Sequence, residues 1–116
     1  MVTVITYLPK KYSEDIRKKY IDMTEGLIET ILNVPKESIA LCNHFVPQDE
    51  ICYIGADTKT IYLYHSEEFS LEQKAEMTKA YDEKCLELFG DDKGMTIMIF
   101  KPHQKEEAAL GGKLGE

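Results

Sequence analysis

The chain of 116 residues contains only three cysteines, Cys42, Cys52 and Cys85, and their spacing matches neither a CxxC pair nor a zinc-binding motif. The three histidines also lack the spacing of metal ligands. We therefore predict no metal site and no cofactor. An odd number of cysteines without paired spacing favours reduced thiols, which are typical of the cytoplasm.

Long apolar runs and an excess of positive charge are also missing. No segment approaches the roughly 20 apolar residues that a membrane-spanning helix needs, and the first residues, MVTVITYLPKK, resemble no signal peptide. Lys and Arg number 14 against 21 Asp and Glu, so the net charge is −7. A chain of this charge repels phosphate backbones. The sequence predicts a cytoplasmic protein with neither membrane nor nucleic acid as a partner.

The chain repeats its own pattern along its length. TVITYLPKKYS covers residues 3–13 and TIYLYHSEEFS covers residues 60–70, so the offset is 60 − 3 = 57 residues. The offset continues to the end of the chain without a gap and aligns apolar positions as well as identical residues. Because a fixed period indicates a duplicated structural unit, we interpret the chain as a single domain of two half-repeats, 1–57 and 58–116.

Each half has the pattern of a strand, a helix and a second strand. In the first half, Val2–Leu8 is a β-rich strand, Ser13 is a suitable N-cap, and apolar residues recur at helical spacing as far as Asn33. The second strand is Ser38–Phe45. The second half repeats this after a linker, and its predicted segments are the linker Ala56–Lys59, a strand at Thr60–His65, a helix from Ser70 to Gly90 and a strand at Met95–Lys101.

This order predicts an α/β fold of two layers (α+β), in which two tandem βαβ units share a four-stranded sheet with both helices on one face. The strands are apolar in both phases, since Ile39 and Leu41 alternate with Ala40 and Cys42. Such a pattern indicates strands that are buried on both faces. Two helices of this length cover only one face, so we expect further copies of the chain to cover the other.

The segment LNVPKESIALCNHF (residues 32–45) and the short arms ending in Ile54–Gly55 and Leu110–Gly112 carry a family resemblance. In these segments and in its duplicated layout, the chain resembles the tautomerase superfamily, the group of 4-oxalocrotonate tautomerase and macrophage migration inhibitory factor (MIF). The resemblance covers nearly the whole chain. It implies the MIF-like fold, a homotrimer, and an isomerase that acts on a small 2-oxo or enol acid in a pocket at a subunit boundary.

The chemistry of that family uses an N-terminal proline, whose amine transfers protons, and two arginines that bind the substrate. Here Val2 stands in place of the proline, Tyr12 and Phe69 stand at the arginine position before each helix, and Ala40 and Ile97 stand at the arginine position in the following strand. The resemblance is therefore to an atypical member that lacks the catalytic proline. Whether the chain is an enzyme is left open by the sequence.

Two residues are candidates for catalysis. The α-amine of Val2 would be available as a base after removal of Met1, and the Tyr12 hydroxyl could donate a hydrogen bond to a substrate carbonyl. The candidate substrate-binding residues are Lys10, Lys11, Lys59 and Phe69. The structural alternatives are a buried first strand for Val2, an aromatic packing contact for Tyr12 and Phe69, and a solvated surface for the lysines.

Two other hypotheses remain open. A catalytically silent protein of the same fold could bind a small ligand such as a carboxylate, or serve only as an assembly. The βαββαβ order also fits a ferredoxin-like domain, including the dimeric α+β barrels that act as small oxygenases or sensors. The strict 57-residue register and the glycine-ended arms favour the tautomerase arrangement over the ferredoxin-like fold.

Overall fold

The structure is a computed structural model that describes residues 1–47, 52–53, 56–90 and 94–115. Its two helices are α1 (Glu14–Leu32) and α2 (Leu71–Phe89). Short 3₁₀ turns cover Lys36–Ser38 and Lys105–Glu107. The strands within the described residues are β1 (Val2–Pro9), β2 (Ile39–Val46), β3 (Cys52–Tyr53), β4 (Ala56–His65), β5 (Met95–Pro102), β6 (Ala109–Leu110) and β7 (Lys113–Leu114).

Four long strands form the main sheet in the order β2-β1-β4-β5. The pairs β1–β2 and β4–β5 are parallel, whereas β1 and β4 run antiparallel at the centre, with Val2 opposite His65. The predicted sheet of two tandem βαβ units is therefore confirmed. In each unit the two strands joined by a helix are direct neighbours. The ferredoxin-like alternative is wrong for this reason, because its βαβ units are split by another strand.

The helices end where the sequence predicts, and local chemistry explains both ends. The Ser13 hydroxyl oxygen accepts the backbone N–H of Ile16 at 3.3 Å, and the Ser70 hydroxyl oxygen accepts that of Gln73 at 3.0 Å. At the C-terminal ends, Asn33 and Gly90 adopt left-handed conformations with φ of 57° and 62°. These two caps are separated by 90 − 33 = 57 residues, the offset of the sequence repeat.

The short hairpins also repeat with this offset. β3 pairs with the first two residues of β4, and β6 pairs with β7. The pair Cys52–Asp57 corresponds to the pair Ala109–Leu114, since 109 − 52 and 114 − 57 both equal 57. Gly111 and Gly112 turn the second hairpin with φ of 60° and 83°, the positive values expected of a glycine pair.

One predicted element is wrong. Residues 56–59, predicted as a linker, are the first four residues of β4. Ala56 and Asp57 pair with β3, while Thr58 and Lys59 pair with β5, so ladder hydrogen bonds extend the strand across the predicted boundary between the half-repeats. The predicted arm at Ile54–Gly55 lies outside the described residues.

The core lies between the sheet and the two helices. Every second residue of β1 is buried beneath the helices, from Val2 to Leu8, and the Tyr20 and Tyr81 rings of the helices are fully buried against them. The opposite face of the sheet carries half-buried apolar side chains, among them Ile5 and Tyr62. Among the described residues, no helix combines the length and the low polarity that crossing a membrane requires.

Candidate functional site

The N-terminal cavity is a space of about 230 Å³ beside the start of β1, lined by Met1, Ser66, His103, Lys105, Lys113 and small residues of the β6–β7 hairpin. It exists because β1 begins next to the end of β4, and the chain after β5 folds back over both. The backbone N–H of His103 donates to the His65 carbonyl at 2.8 Å, and that of Gly115 donates to the Ala108 carbonyl at 2.9 Å. The first bond joins the chain after β5 to the end of β4, and the second closes the C-terminal hairpin.

Positive charge dominates this cavity. Met1, Lys105 and Lys113 belong to its lining, which includes no Asp or Glu among the described residues, and the Met1 ammonium group pairs with the nearby Glu67. A cavity of this volume holds about seven or eight waters at roughly 30 Å³ each. It is smaller than the roughly 300–1,000 Å³ typical of sites for drug-sized ligands. The arrangement therefore suits a small anion.

Glu67 pairs with the amino group at the start of the chain. The Met1 nitrogen lies 3.0 Å from Glu67 Oε2, and the backbone N–H of Ser66 donates to Glu67 Oε1 at 3.1 Å. Partial burial raises the pKa of Glu67, but hydrogen bonds from its own backbone N–H and from the α-ammonium, together with the ammonium charge, outweigh burial. The pKa of Glu67 is therefore lowered, and the carboxylate stays ionised beside the amine.

His65 fixes the turn that carries Glu67. Its Nδ1 lies 2.7 Å from the Glu67 carbonyl oxygen and donates to it, while its ring packs 4.5 Å from the Phe69 ring and 6.1 Å from the Phe100 ring. The side chain is buried, and its Nε2 has no hydrogen-bond partner within the described part of the chain. A second cavity, of about 510 Å³, adjoins this turn and shares Ser66 and His103 with the N-terminal cavity.

A second cluster of predicted residues lies at the other end of β1. Lys59 is buried, and its ammonium group lies 5.9 Å from the Tyr12 ring and 5.2 Å from the Phe89 ring. Lys11 pairs with Asp57 at 2.7 Å and lies 5.4 Å from the same Tyr12 ring. The Tyr12 hydroxyl is buried and unpartnered among the described residues. This cluster is dominated by aromatic packing around two ammonium groups.

The structure therefore divides the sequence candidates between two places. Lys11, Tyr12 and Lys59 come together beyond the end of β1, whereas Val2 lies at its start with its side chain fully buried. Seven residues of strand, about 23 Å at 3.3 Å per residue, separate these ends. Lys10 is exposed, and its carbonyl accepts the Arg17 guanidinium at 3.2 Å. Phe69 lies at the Val2 end, where its ring packs on His65.

Sequence reasoning missed the groups that line the N-terminal cavity. Met1, Ser66 and Lys113 come from three distant parts of the chain and form no motif. The only available signal was the second glycine-paired hairpin, which the repeat predicted and which places Lys113 beside the first residue. In the described part of the chain, no group of three or more His, Cys, Asp and Glu side chains is arranged to hold a metal ion.

The largest cavity described, about 830 Å³, is a groove between the outer faces of α1 and α2. Its lining mixes Lys19 and Lys84 with Asp22, Glu76 and Glu87 around an apolar floor. We favour the smaller N-terminal cavity as the functional site because its charges share one sign and an amine lies at its wall.

No family model and no curated protein matches this chain in sequence. Solved structures do match it over nearly its whole length. The "R7 fused 4-OT wild type asymmetric trimer" is 20% identical with a TM-score of 0.82, over 97% of this chain and 94% of that chain. The "W0 fused 4-OT wild type symmetric trimer" is 16% identical with a TM-score of 0.86, over 97% of each chain.

This chain has the tautomerase fold. The macrophage migration inhibitory factor of Toxoplasma gondii is a further match, 12% identical with a TM-score of 0.79, over 97% of this chain and 98% of that chain. The resemblance to the tautomerase superfamily predicted from the sequence is thus confirmed in the fold. At these identities the tautomerase fold is what the likeness shows, and the chemistry has to be argued from the side chains.

Proposed function

We propose that this chain is a tautomerase-like isomerase that acts on a small 2-oxo or enol acid at the N-terminal cavity. The observation that carries the proposal is the charge of this cavity, where an α-amino group and two lysines surround a space for a small anion. This amine is primary, and it belongs to the residue before Val2, which stands in place of the proline. It lies at the start of β1, where the resemblance predicts the proton-transfer group.

In the proposed reaction, Lys105 and Lys113 bind the substrate carboxylate, and the α-amino group moves a proton to or from the carbon beside the carbonyl. Tautomerisation conserves every atom, since a C–H bond and an O–H bond exchange places. Proton transfer by a positioned group typically contributes about 10²- to 10⁴-fold. The lysines also stabilise the negative charge that develops on the substrate oxygen.

We further propose that the active form is a homotrimer of this chain in the cytoplasm, each chain being one domain of two half-repeats, 1–57 and 58–116. The half-buried apolar face of the sheet supports self-association, and fused 4-OT structures with this fold are described as trimers. In such an assembly, Lys10, Lys11 or Tyr12 from one copy can serve the N-terminal cavity of another. A single chain cannot do this, because these residues lie at the far end of β1.

Turnover of small enol acids tests the proposal. We expect the protein to ketonise 2-hydroxymuconate or the enol of phenylpyruvate. Of the two, the smaller 2-hydroxymuconate should be preferred because the cavity is small. Lys105→Ala with Lys113→Ala should lower kcat/KM by at least about tenfold, because two cations at the carboxylate are lost. The matched control is Lys18→Ala with Lys19→Ala, two exposed lysines of α1 that pair with Glu14 and Asp15 on the same helix. An equal loss in both double variants, or no turnover in the unmodified protein, would contradict the proposal.

A second candidate function is binding of a small carboxylate without turnover. It is favoured by the uncharged Tyr12 and Ala40, which stand where the resemblance places substrate-binding arginines. NMR titration with pyruvate separates the two functions. Saturable changes in the NMR chemical shifts around Met1 and Lys113, without any turnover of enol acids, would establish binding alone.

A further inference from the structure

Glu67, two residues after the end of β4, contacts the amino group of Met1. Neither the sequence repeat nor the fold family predicts this contact. Glu67 Oε2 contacts the Met1 nitrogen at 3.0 Å, while Glu67 Oε1 accepts the Ser66 N–H at 3.1 Å. Both carboxylate oxygens are therefore engaged, and the side chain has one orientation. Residue 10, the counterpart of Glu67 in the first half-repeat (67 − 57 = 10), is a lysine, so this contact belongs to the second half only.

The turn that carries Glu67 is itself fixed. His65 lies opposite Val2 in the antiparallel β1–β4 ladder, so the sheet sets the distance between the two chain segments. The buried imidazole of His65 donates from Nδ1 to the Glu67 carbonyl oxygen at 2.7 Å. The amine at the start of β1 and the carboxylate after β4 are thus held by neighbouring strands. Their contact does not depend on two flexible side chains meeting.

From this geometry we propose that Glu67 is a positioning residue, which holds the α-ammonium group of Met1 beside the N-terminal cavity. The inference rests on the proposed function, because it assigns a partner to the amine of that site. In the ketonisation of an enol acid, this ammonium group donates a proton to carbon, and the amine that remains takes up the proton that the enol hydroxyl releases.

Other charged groups near the amine divide into two sets. Lys105, Lys113 and His103 line the N-terminal cavity, and Glu68, Lys74 and Glu107 line the neighbouring one. Glu107 Oε1 already accepts the Gln104 N–H at 2.7 Å, and Glu68 is exposed. Within the described residues, Glu67 is the carboxylate in direct contact with the amine. Its lowered pKa, to which the hydrogen bond and the charge of the α-ammonium contribute, agrees with this contact.

The experiment measures the reactivity of the amine and the turnover separately. Protein whose first residue is confirmed as Met1 by mass spectrometry is treated at pH 7 with a limiting succinimidyl ester. Acylation of the α-amine is then followed by peptide mass spectrometry in the unmodified protein, Glu67→Gln and Glu68→Gln. Glutamine keeps the shape of Glu67 but removes its charge, and the exposed Glu68 is the matched control.

We expect the α-amine of Glu67→Gln to be acylated about two- to fivefold faster than in the unmodified protein, the range that corresponds to a partly exposed ion pair. Glu68→Gln should not differ, and neither should the unfolding midpoint of Glu67→Gln. Equal acylation rates in all three proteins would overturn the role of Glu67, even if enol acids are turned over. Turnover reports on the proposed function instead: Glu67→Gln should lower kcat for ketonisation with little change in KM.

Discussion

The hydroxyl oxygens of Tyr20 and Tyr81 lie 2.7 Å apart in the core, where both side chains are fully buried. Tyr20 projects from α1 and Tyr81 from α2, and their rings meet edge to face at 6.2 Å. Burial raises the pKa of both hydroxyls well above the usual value, so the pair stays neutral at physiological pH. This contact ties together the helices of the two half-repeats.

Tyr81→Phe removes one partner of this bond and leaves the Tyr20 hydroxyl with weaker alternatives. An unsatisfied buried hydroxyl costs about 1–3 kcal/mol, and we expect a loss of that size in the free energy of unfolding. The double variant Tyr20→Phe with Tyr81→Phe should cost less than the sum of the single variants, because neither tyrosine hydroxyl is then left buried without the other. Urea denaturation measures these changes, with Tyr64→Phe on the open sheet face as control. Additive losses would mean that the two hydroxyls are not coupled.

The helix boundaries were predicted from the sequence because their causes are local. Ser13 and Ser70 cap the N-terminal ends, and Asn33 and Gly90 supply the left-handed residues at the C-terminal ends. The few residues around each cap are enough to predict the helix end. The 57-residue repeat then transfers the prediction made for one half to the other half.

The start of β4 and the N-terminal cavity could not be predicted in the same way. Residues 56–59 are strand because β3 and β5 pair with them, and these partners are decided by the whole fold. The cavity joins Met1 to the hairpin that carries Lys113, and the Met1 nitrogen also contacts Glu67. Such contacts depend on strand register over more than 60 residues, and no spacing rule in the sequence encodes them.

Replacement by alanine should change the stability of the protein in opposite directions at two glycines. Gly26 lies within α1, where an added Cβ meets no atom within 4 Å, whereas Gly90 has φ of 62° at the end of α2. Gly26→Ala should stabilise the protein by about 0.5–1 kcal/mol through helix propensity. Gly90→Ala should destabilise it by about 1–2 kcal/mol because a left-handed alanine is strained. Urea denaturation compares the pair, and loss of stability on Gly26→Ala would show that the α1 surface is covered.

The thiol of Cys85 should be unreactive in the folded protein. It is 1% exposed, and burial raises its pKa to about 12. A hydrogen bond from the Tyr81 side chain and the charge of Lys59 act against this rise in the pKa. Since the thiolate is the reactive form, we expect labelling of Cys85 by a maleimide at pH 7.5 to be at least about 10³-fold slower in buffer than in 6 M urea. Mass spectrometry identifies the labelled peptide. Comparable rates in the two conditions would contradict the burial of Cys85 in the core.

Self-association should depend on the open face of the sheet. Light scattering at micromolar concentration should give about 40 kDa, which is three times the 13.3 kDa of one chain. Ile5→Lys places a charge at the centre of the half-buried face and should shift the mass toward the monomer, because an ammonium group is costly to bury there. Lys18→Ala on the exposed surface of α1 serves as control. A monomeric unmodified protein would remove the basis for a shared site.

The central claim is that the amino group at the start of β1 transfers the proton, and selective carbamoylation of the α-amine tests it most directly. The protein is modified near neutral pH, mass spectrometry confirms that the lysines are intact, and ketonisation of 2-hydroxymuconate is measured. We predict that kcat falls by at least about 10²-fold, the usual contribution of a positioned proton-transfer group. Unchanged turnover by the fully carbamoylated protein would contradict the account, and the buried Lys59 beside Tyr12 would become the next amine to examine.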